Sequence, residues 1–125
     1  MPATSTRRGL GDRALRLLLA TVFVVAAGMK LTASDFEVQN FARFGYASWF
    51  MYAVGFTQLL GAGLLWIRGY VAYGAIVLAA LMAGGVASHL RAGDPVVMAA
   101  PALGLLVLLV GLAVNRRDEL SSRRG

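Results

Sequence analysis

Lys30 and His89 are ionisable residues set at the edges of long apolar stretches, and Gln58 stands well inside another. Polar groups at such positions are costly in an apolar medium and usually face a bundle interior or a cavity. A lysine there can hold an anionic or carbonyl-bearing head group, a histidine can pass a proton near neutral pH, and an amide can donate and accept at once. Asp35, Glu37, Arg91 and Asp94 fall close to Lys30 and His89 in the same reading and form an outer charge cluster with them. Two readings of this cluster stay open. It is a ligand site, with Lys30, Gln58 and His89 as the binding residues, or it is a solvated ring of ion pairs in which Lys30 pairs with Asp35 or Asp94. Gln58 likewise reads as a ligand contact or as a hydrogen-bonding link between helices.

The residue types also exclude chemistry. The chain has no cysteine and one histidine, which removes disulfides, iron–sulfur clusters and thiolate zinc sites and leaves no metal site to expect. No Asp or Glu lies inside an apolar run, so proton coupling through a membrane carboxylate has nothing to use. No nucleophile–base spacing is present, and no catalytic residue is assigned. The chain reads as one without catalytic activity of its own.

The elements that must position these residues follow from composition. Of 125 residues, 58% are hydrophobic and 14% charged, and the mean hydropathy is +0.69. So small a body has too little interior to hide that much apolar surface from water, whereas four membrane helices of about 20 residues account for it. The expected fold is all-α: an integral-membrane four-helix bundle over 14–114, with a flexible basic tail at 1–13 and a second basic tail at 115–125. The spans are expected at 14–33, 47–67, 70–90 and 96–114. Between the first two, Ser34 and Glu37 have capping-box spacing and Gly45 is a stop signal, which predicts a short amphipathic outer helix. In the third span, Ala75, Ala79, Ala83 and Ala87 make a stripe of small residues suited to close helix packing.

The net charge of +6 would suggest nucleic acid in a soluble chain, but the basic residues flank apolar runs and carry no interleaved aromatics, so no nucleic-acid partner is expected. Arg7, Arg8, Arg13, Arg16, Arg68, Arg116, Arg117, Arg123 and Arg124 fall on one side of a four-span bundle, and Lys30, Arg43 and Arg91 on the other. That bias places both termini in the cytoplasm. Arg116, Arg117, Arg123 and Arg124 read as membrane-surface residues that enforce topology or meet anionic lipid. A competing reading makes the basic start and residues 17–33 a cleavable secretory signal; Lys30, between the apolar core and the cleavage site, argues against it.

Gly28-Met-Lys30-Leu31 at the close of the first span, the Phe-containing segment before Gly45, the stretch Gly55-Phe-Thr-Gln-Leu-Leu-Gly61 and the His89 ending of the third span together resemble the DoxX-like family. The resemblance covers about 14–114. It implies a small four-helix protein of the inner membrane. Some relatives are linked to quinone-dependent thiosulfate oxidation or to oxidative-stress complexes, and more distant ones to membrane chaperone or cargo work. Lys30 matches the family lysine, whereas Gln58 stands where many members carry a membrane glutamate. The expected function is an accessory or scaffold subunit with an isoprenoid quinone or lipid near the outer leaflet, a membrane or peripheral redox protein as partner, and a homo-oligomer as a further option. A small oligomeric transporter and a purely structural partner-binding protein are the alternatives.

Overall fold

The computed structural model describes residues 2–122, with side chains for residues 9–121. Among them the protein has six α-helices and no strand: α1 (Pro2–Leu31), α2 (Asp35–Phe44), α3 (Ser48–Leu64), α4 (Val71–Arg91), α5 (Val96–Asn115) and the short α6 (Asp118–Ser122). Three segments, Gly9–Leu31, Val71–Arg91 and Val96–Asn115, are long and apolar enough to cross a membrane. Leu17, Val25, Val107 and Val114 on these segments stay exposed, as expected where the surrounding solvent is lipid.

A helix appears at each expected element, with shifted ends, although α3, expected as the second span, is not among the three segments long and apolar enough to cross a membrane. α3 has 17 residues, and its expected end at 67 falls back to Leu64. Beyond that point the chain tightens, with Trp66 N–H bonding Gly63 O at 3.0 Å and Ile67 N–H bonding Leu64 O at 3.2 Å. Arg16 Nη1 meanwhile donates to Leu65 O at 3.0 Å, so a side chain from α1 satisfies a carbonyl that another helical turn would have used.

The tails also differ from expectation. α1 reaches back to Pro2 through the stretch read as flexible, and α6 occupies part of the second tail. The physical reason is a clasp. Asp12 accepts from Arg16 at 2.7 Å and from Arg116 at 2.5 Å, Arg116 also bonds Glu119 at 3.2 Å, and Glu119 Oε1 accepts from Ala72 N–H at 2.8 Å. That last bond satisfies a backbone donor in the first turn of α4. Arg116 is thus used inside the protein, and Arg117 bonds Val114 O of its own helix at 2.9 Å. Arg123 and Arg124 lie outside the described residues.

The helices pack in order, α1 on α3, α3 on α4 and α4 on α5. Leu19, Phe23, Leu65, Leu78, Leu109 and Leu112 form the centre of one core at the clasped end. The tightest crossing is α3 on α4: a Cβ on Gly74 would lie 2.7 Å from Gly61 O and 2.9 Å from Leu64 Cβ. The small-residue stripe works only in this half. Ala75 is buried, whereas Ala83 and Ala87 are exposed.

Replacing Gly74 by valine should therefore destabilise the protein by about 1–3 kcal/mol through overpacking against backbone. Gly28→Ala, where the new Cβ meets nothing within 4 Å, should be neutral or stabilising by up to about 1 kcal/mol. Thermal unfolding of both variants in mild detergent reads the contrast, and equal effects would contradict the crossing described.

Candidate functional site

The bundle opens toward the end opposite the clasp. There α1 to α5 all contribute to a cavity of about 650 Å³. Phe23, Leu81 and Leu105 line it and also belong to the core or pack against it. α2 lies across α1, α3 and α4 and brings Glu37, Asn40, Phe41 and Phe44 to the lining. These four recur at helical spacing, so one face of α2 covers the cavity.

Lys30 is 8% exposed and Glu37 is 7% exposed, and Lys30 Nζ donates to Glu37 Oε2 at 3.2 Å. This settles the partner of Lys30: it is neither Asp35 nor Asp94. Asp35 stays exposed in the first turn of α2. The expected capping box does not form. Ser34 holds the N-cap position without a side-chain cap bond, and its Oγ is buried without a partner; the other half of the box is missing too, because the Ser34 N–H donates to Met29 O at 2.9 Å and the Glu37 carboxylate turns to the lysine. The predicted stop does form: Gly45, at φ +84°, takes the left-handed conformation that closes α2.

Gly55 explains how Lys30 comes to lie here. A Cβ at Gly55 would fall 2.8 Å from Lys30 Cβ and 3.3 Å from Ala27 O, so α1 and α3 touch at this level. Gln58 sits on the same buried face of α3 as Met51, Gly55 and Ala62. It lies about 4.5 Å further from α2 along the helix. It is 2% exposed and lines the cavity, and its Oε1 is buried without a hydrogen-bond partner.

The rim opposite Lys30 is built at the α4–α5 turn. His89 Nδ1 lies 2.7 Å from Asp94 Oδ2, and Arg43 of α2 bonds the other oxygen of Asp94. In the neutral ring, that carboxylate places the proton on Nδ1 and leaves Nε2 as an acceptor. Phe44 meets His89 edge-on, with ring centroids 5.1 Å apart. Arg91 donates to Phe44 O at 3.0 Å and lies over the Tyr46 ring, 4.9 Å from its centroid. Ser88 Oγ donates to Gly84 O at 2.8 Å, so the Tyr46 hydroxyl, 2.6 Å away, donates to Ser88. Arg43 and His89 together hold the Asp94 carboxyl below the usual carboxylate range.

The structure thus brings Lys30, Gln58 and His89 to one cavity, together with Glu37. Asp94 and Arg91 stand at its rim and Asp35 points to none of these partners. Sequence reasoning missed the pairing of Glu37 with Lys30, although Glu37 shares a helical face with Phe41 and Phe44. It also missed Arg43 as the partner of Asp94 and the Tyr46–Ser88 bond, both of which join residues far apart in sequence. Among the described residues, no group of three His, Asp or Glu side chains is placed to hold a metal.

Every residue lining this cavity falls within 14–112, the stretch that matches the DoxX-like family model. The chain belongs to the DoxX-like family. It is similar to the uncharacterized protein YdgD of Bacillus subtilis (strain 168), at 34% identity over 96 residues, which cover 71% of this chain and 83% of the relative. No solved structure matches. With three apolar helices able to span a bilayer, this DoxX-like chain is a membrane protein. The Asp12–Arg116–Glu119 clasp lies outside the matched stretch.

Removing one member of the buried pair should leave an uncompensated charge. Lys30→Met or Glu37→Leu alone should cost about 3–5 kcal/mol, and the two together much less. A double-mutant cycle by thermal or denaturant unfolding measures the coupling, and simple additivity would show that the pair is not a unit. Asp94 supplies a separate, pH-dependent contribution. Because its folded-state pKa is lowered, that contribution is fully present above the ordinary carboxylate value of about 3.9 and is lost as pH falls through the lower folded value. Asp94→Asn should flatten this acid limb of the stability profile, and an unchanged limb would place it elsewhere.

Proposed function

We propose that this DoxX-like protein is an accessory or scaffold subunit that holds an amphipathic, lipid-soluble molecule, an isoprenoid quinone or a lipid, in the cavity beneath α2. The supporting observation is the cavity itself. Its volume of about 650 Å³ lies within the about 300–1,000 Å³ typical of small-molecule sites, which are mostly apolar with a few placed polar groups. Aromatic and aliphatic side chains make most of this lining, and Lys30, Glu37, Asn40, Gln58, Tyr46, Ser88 and His89 supply the polar groups.

In this reading α1, α3, α4 and α5 all cross the inner membrane. At 17 residues, α3 rises about 25 Å and spans with the help of the tightened turn that follows it. The positive-inside bias puts the clasped end and both termini on the cytoplasmic side. The cavity then opens in the outer half of the bilayer, where a quinone or lipid head group meets its tail. Any redox chemistry comes from the bound molecule and a partner protein, since a cofactor carries such chemistry while the protein supplies binding and orientation. Packing of Leu19, Phe23, Leu78 and Leu109 at the other end favours a blind binding site over a path through the membrane, and so favours this reading over a transporter.

Mass spectrometry of protein purified in mild detergent tests the reading. Wild type should carry quinone or lipid in near-stoichiometric amount. Gly85→Leu should lose it while remaining folded, because Gly85 lines the cavity and a Cβ there would meet only Ala102 Cβ at 3.8 Å. Folded wild-type protein with no bound molecule above detergent background would remove the ligand and leave a scaffold alone.

A further inference from the structure

Four long helices surround the cavity, and three of the seams between them are packed. α1 meets α3, α3 meets α4 and α4 meets α5, whereas no comparable packing joins α5 back to α1. At the level of the cavity the α1–α3 seam is so tight that a Cβ on Gly55 would fall 2.8 Å from Lys30 Cβ. In the α4–α5 seam a Cβ on Gly85 would touch Ala102 Cβ at 3.8 Å. α2 lies across α1, α3 and α4, and Arg43 ties it to the α4–α5 turn through Asp94. The α5–α1 seam is joined toward the clasped end, by Asp12 on Arg116 and by Leu19, Leu109 and Leu112 in the shared core. Beyond that core it is a slot.

The side chains at the slot edges are apolar and open. Val22 and Ala26 of α1 line the cavity and are half-buried. Val97, Met98 and Pro101 of α5 line it too, yet Val97 is 74% exposed, Met98 is 42% exposed and Pro101 is exposed. Residues that line a cavity and are still this open mark a mouth, not a wall. Pro101 also has no N–H to give to Val97 O, so the outer turn of α5 is held less firmly to the rest of its helix. Both helices that flank the slot have segments long and apolar enough to cross a membrane.

We infer that this slot is a lateral entrance: the bound molecule passes through it directly between bilayer and cavity, and its hydrocarbon chain stays in the slot once the polar end is inside. The inference rests on the cavity-binding reading above and adds route and orientation to it. The polar groups of the cavity stand toward α2 and the α4–α5 turn, where Lys30 pairs with Glu37 and His89 with Asp94. A chain lying between Ala26 and Pro101 meets apolar side chains on both edges, and it exchanges one hydrocarbon surrounding for another at little cost. A head group left in the same place would be desolvated without a hydrogen-bonding partner, whereas toward α2 it reaches the polar groups. The requirement is one polar end on a long apolar chain, which an isoprenoid quinone and a membrane lipid both meet. A water-soluble molecule fails it, because it has no route through hydrocarbon.

The chain has no cysteine, so introduced cysteines react alone. Ala26→Cys and Pro101→Cys would be made singly and together in the full chain. Each single variant, nitroxide-labelled in phospholipid vesicles, should collide freely with dissolved oxygen and little with a water-soluble nickel chelate. Access of nickel to either site, or shielding from both reagents, would overturn the lateral entrance. The double variant would be fully bridged by a reducible bis-thiosulfonate and offered vesicles containing a decyl-substituted benzoquinone or chain-deuterated phospholipid. After re-extraction, mass spectrometry counts the bound probe. Bridging should abolish uptake and reductant should restore it. Such gated uptake of either probe supports the entrance, and the probe that is taken up tells quinone from lipid. Uptake unchanged by bridging would overturn the route yet leave the cavity as a binding site. Uptake of neither probe by folded, unbridged protein would remove the cavity-binding reading and this inference with it.

Discussion

A lysine ammonium brought against another helix at the edge of an apolar bundle has to be neutralised, and much of this architecture follows from how that is done. Gly55 lets α3 come close enough for its missing side chain to be replaced by the stem of Lys30. The stem is thereby fixed, and its charge must find a partner nearby. Glu37 supplies it from α2, seven positions on in sequence. A helix that could otherwise lie anywhere on the bundle surface is held across the ends of α1, α3 and α4. Its apolar face then becomes part of a cavity lining and not simply a membrane-surface face.

The two halves of the bundle are built by different means. In the clasped half, small residues at the α3–α4 crossing let leucines and one phenylalanine meet in a closed core. In the other half the small residues Gly84, Gly85 and Ala102 line the cavity. The same residue class thus gives close contact in one place and volume in another. What separates the outcomes is whether a facing helix lies near enough to fill the space. α2, held by Lys30 and by Arg43 on Asp94, stands across that end without filling it.

Much of the fold was legible because apolar run lengths and Gly45 each act locally. The helices α2, α4 and α5 start and end within a residue or two of the positions that periodicity and capping suggest. α1 and α3 were less legible at their Asp12 and Leu65 ends, because Arg16 and Arg116 shape those ends from elsewhere in the chain. For the candidate site, Lys30, Gln58 and His89 stood out as polar groups in apolar surroundings, and the cavity collects all three. Their partners were harder to read. Ser34 and Glu37 satisfy the local rule for a capping box, and the local rule lost to a buried ammonium that only tertiary structure places beside the carboxylate. The existence of a cavity follows from helix divergence, which no residue spacing encodes directly.

The clasp has a consequence in time. Asp12 and Arg116 are separated by 104 positions, and the donor that Glu119 satisfies at the start of α4 belongs to Ala72. During synthesis α1, α3 and α4 can begin to pack while Arg116 and Glu119 do not yet exist. Over that interval Asp12 has only Arg16 for a partner, and the first turn of α4 keeps an open amide. Among these contacts the clasp is therefore the last that can form, and it ties α6 back to α1 and α4 only after the helices between them have been made.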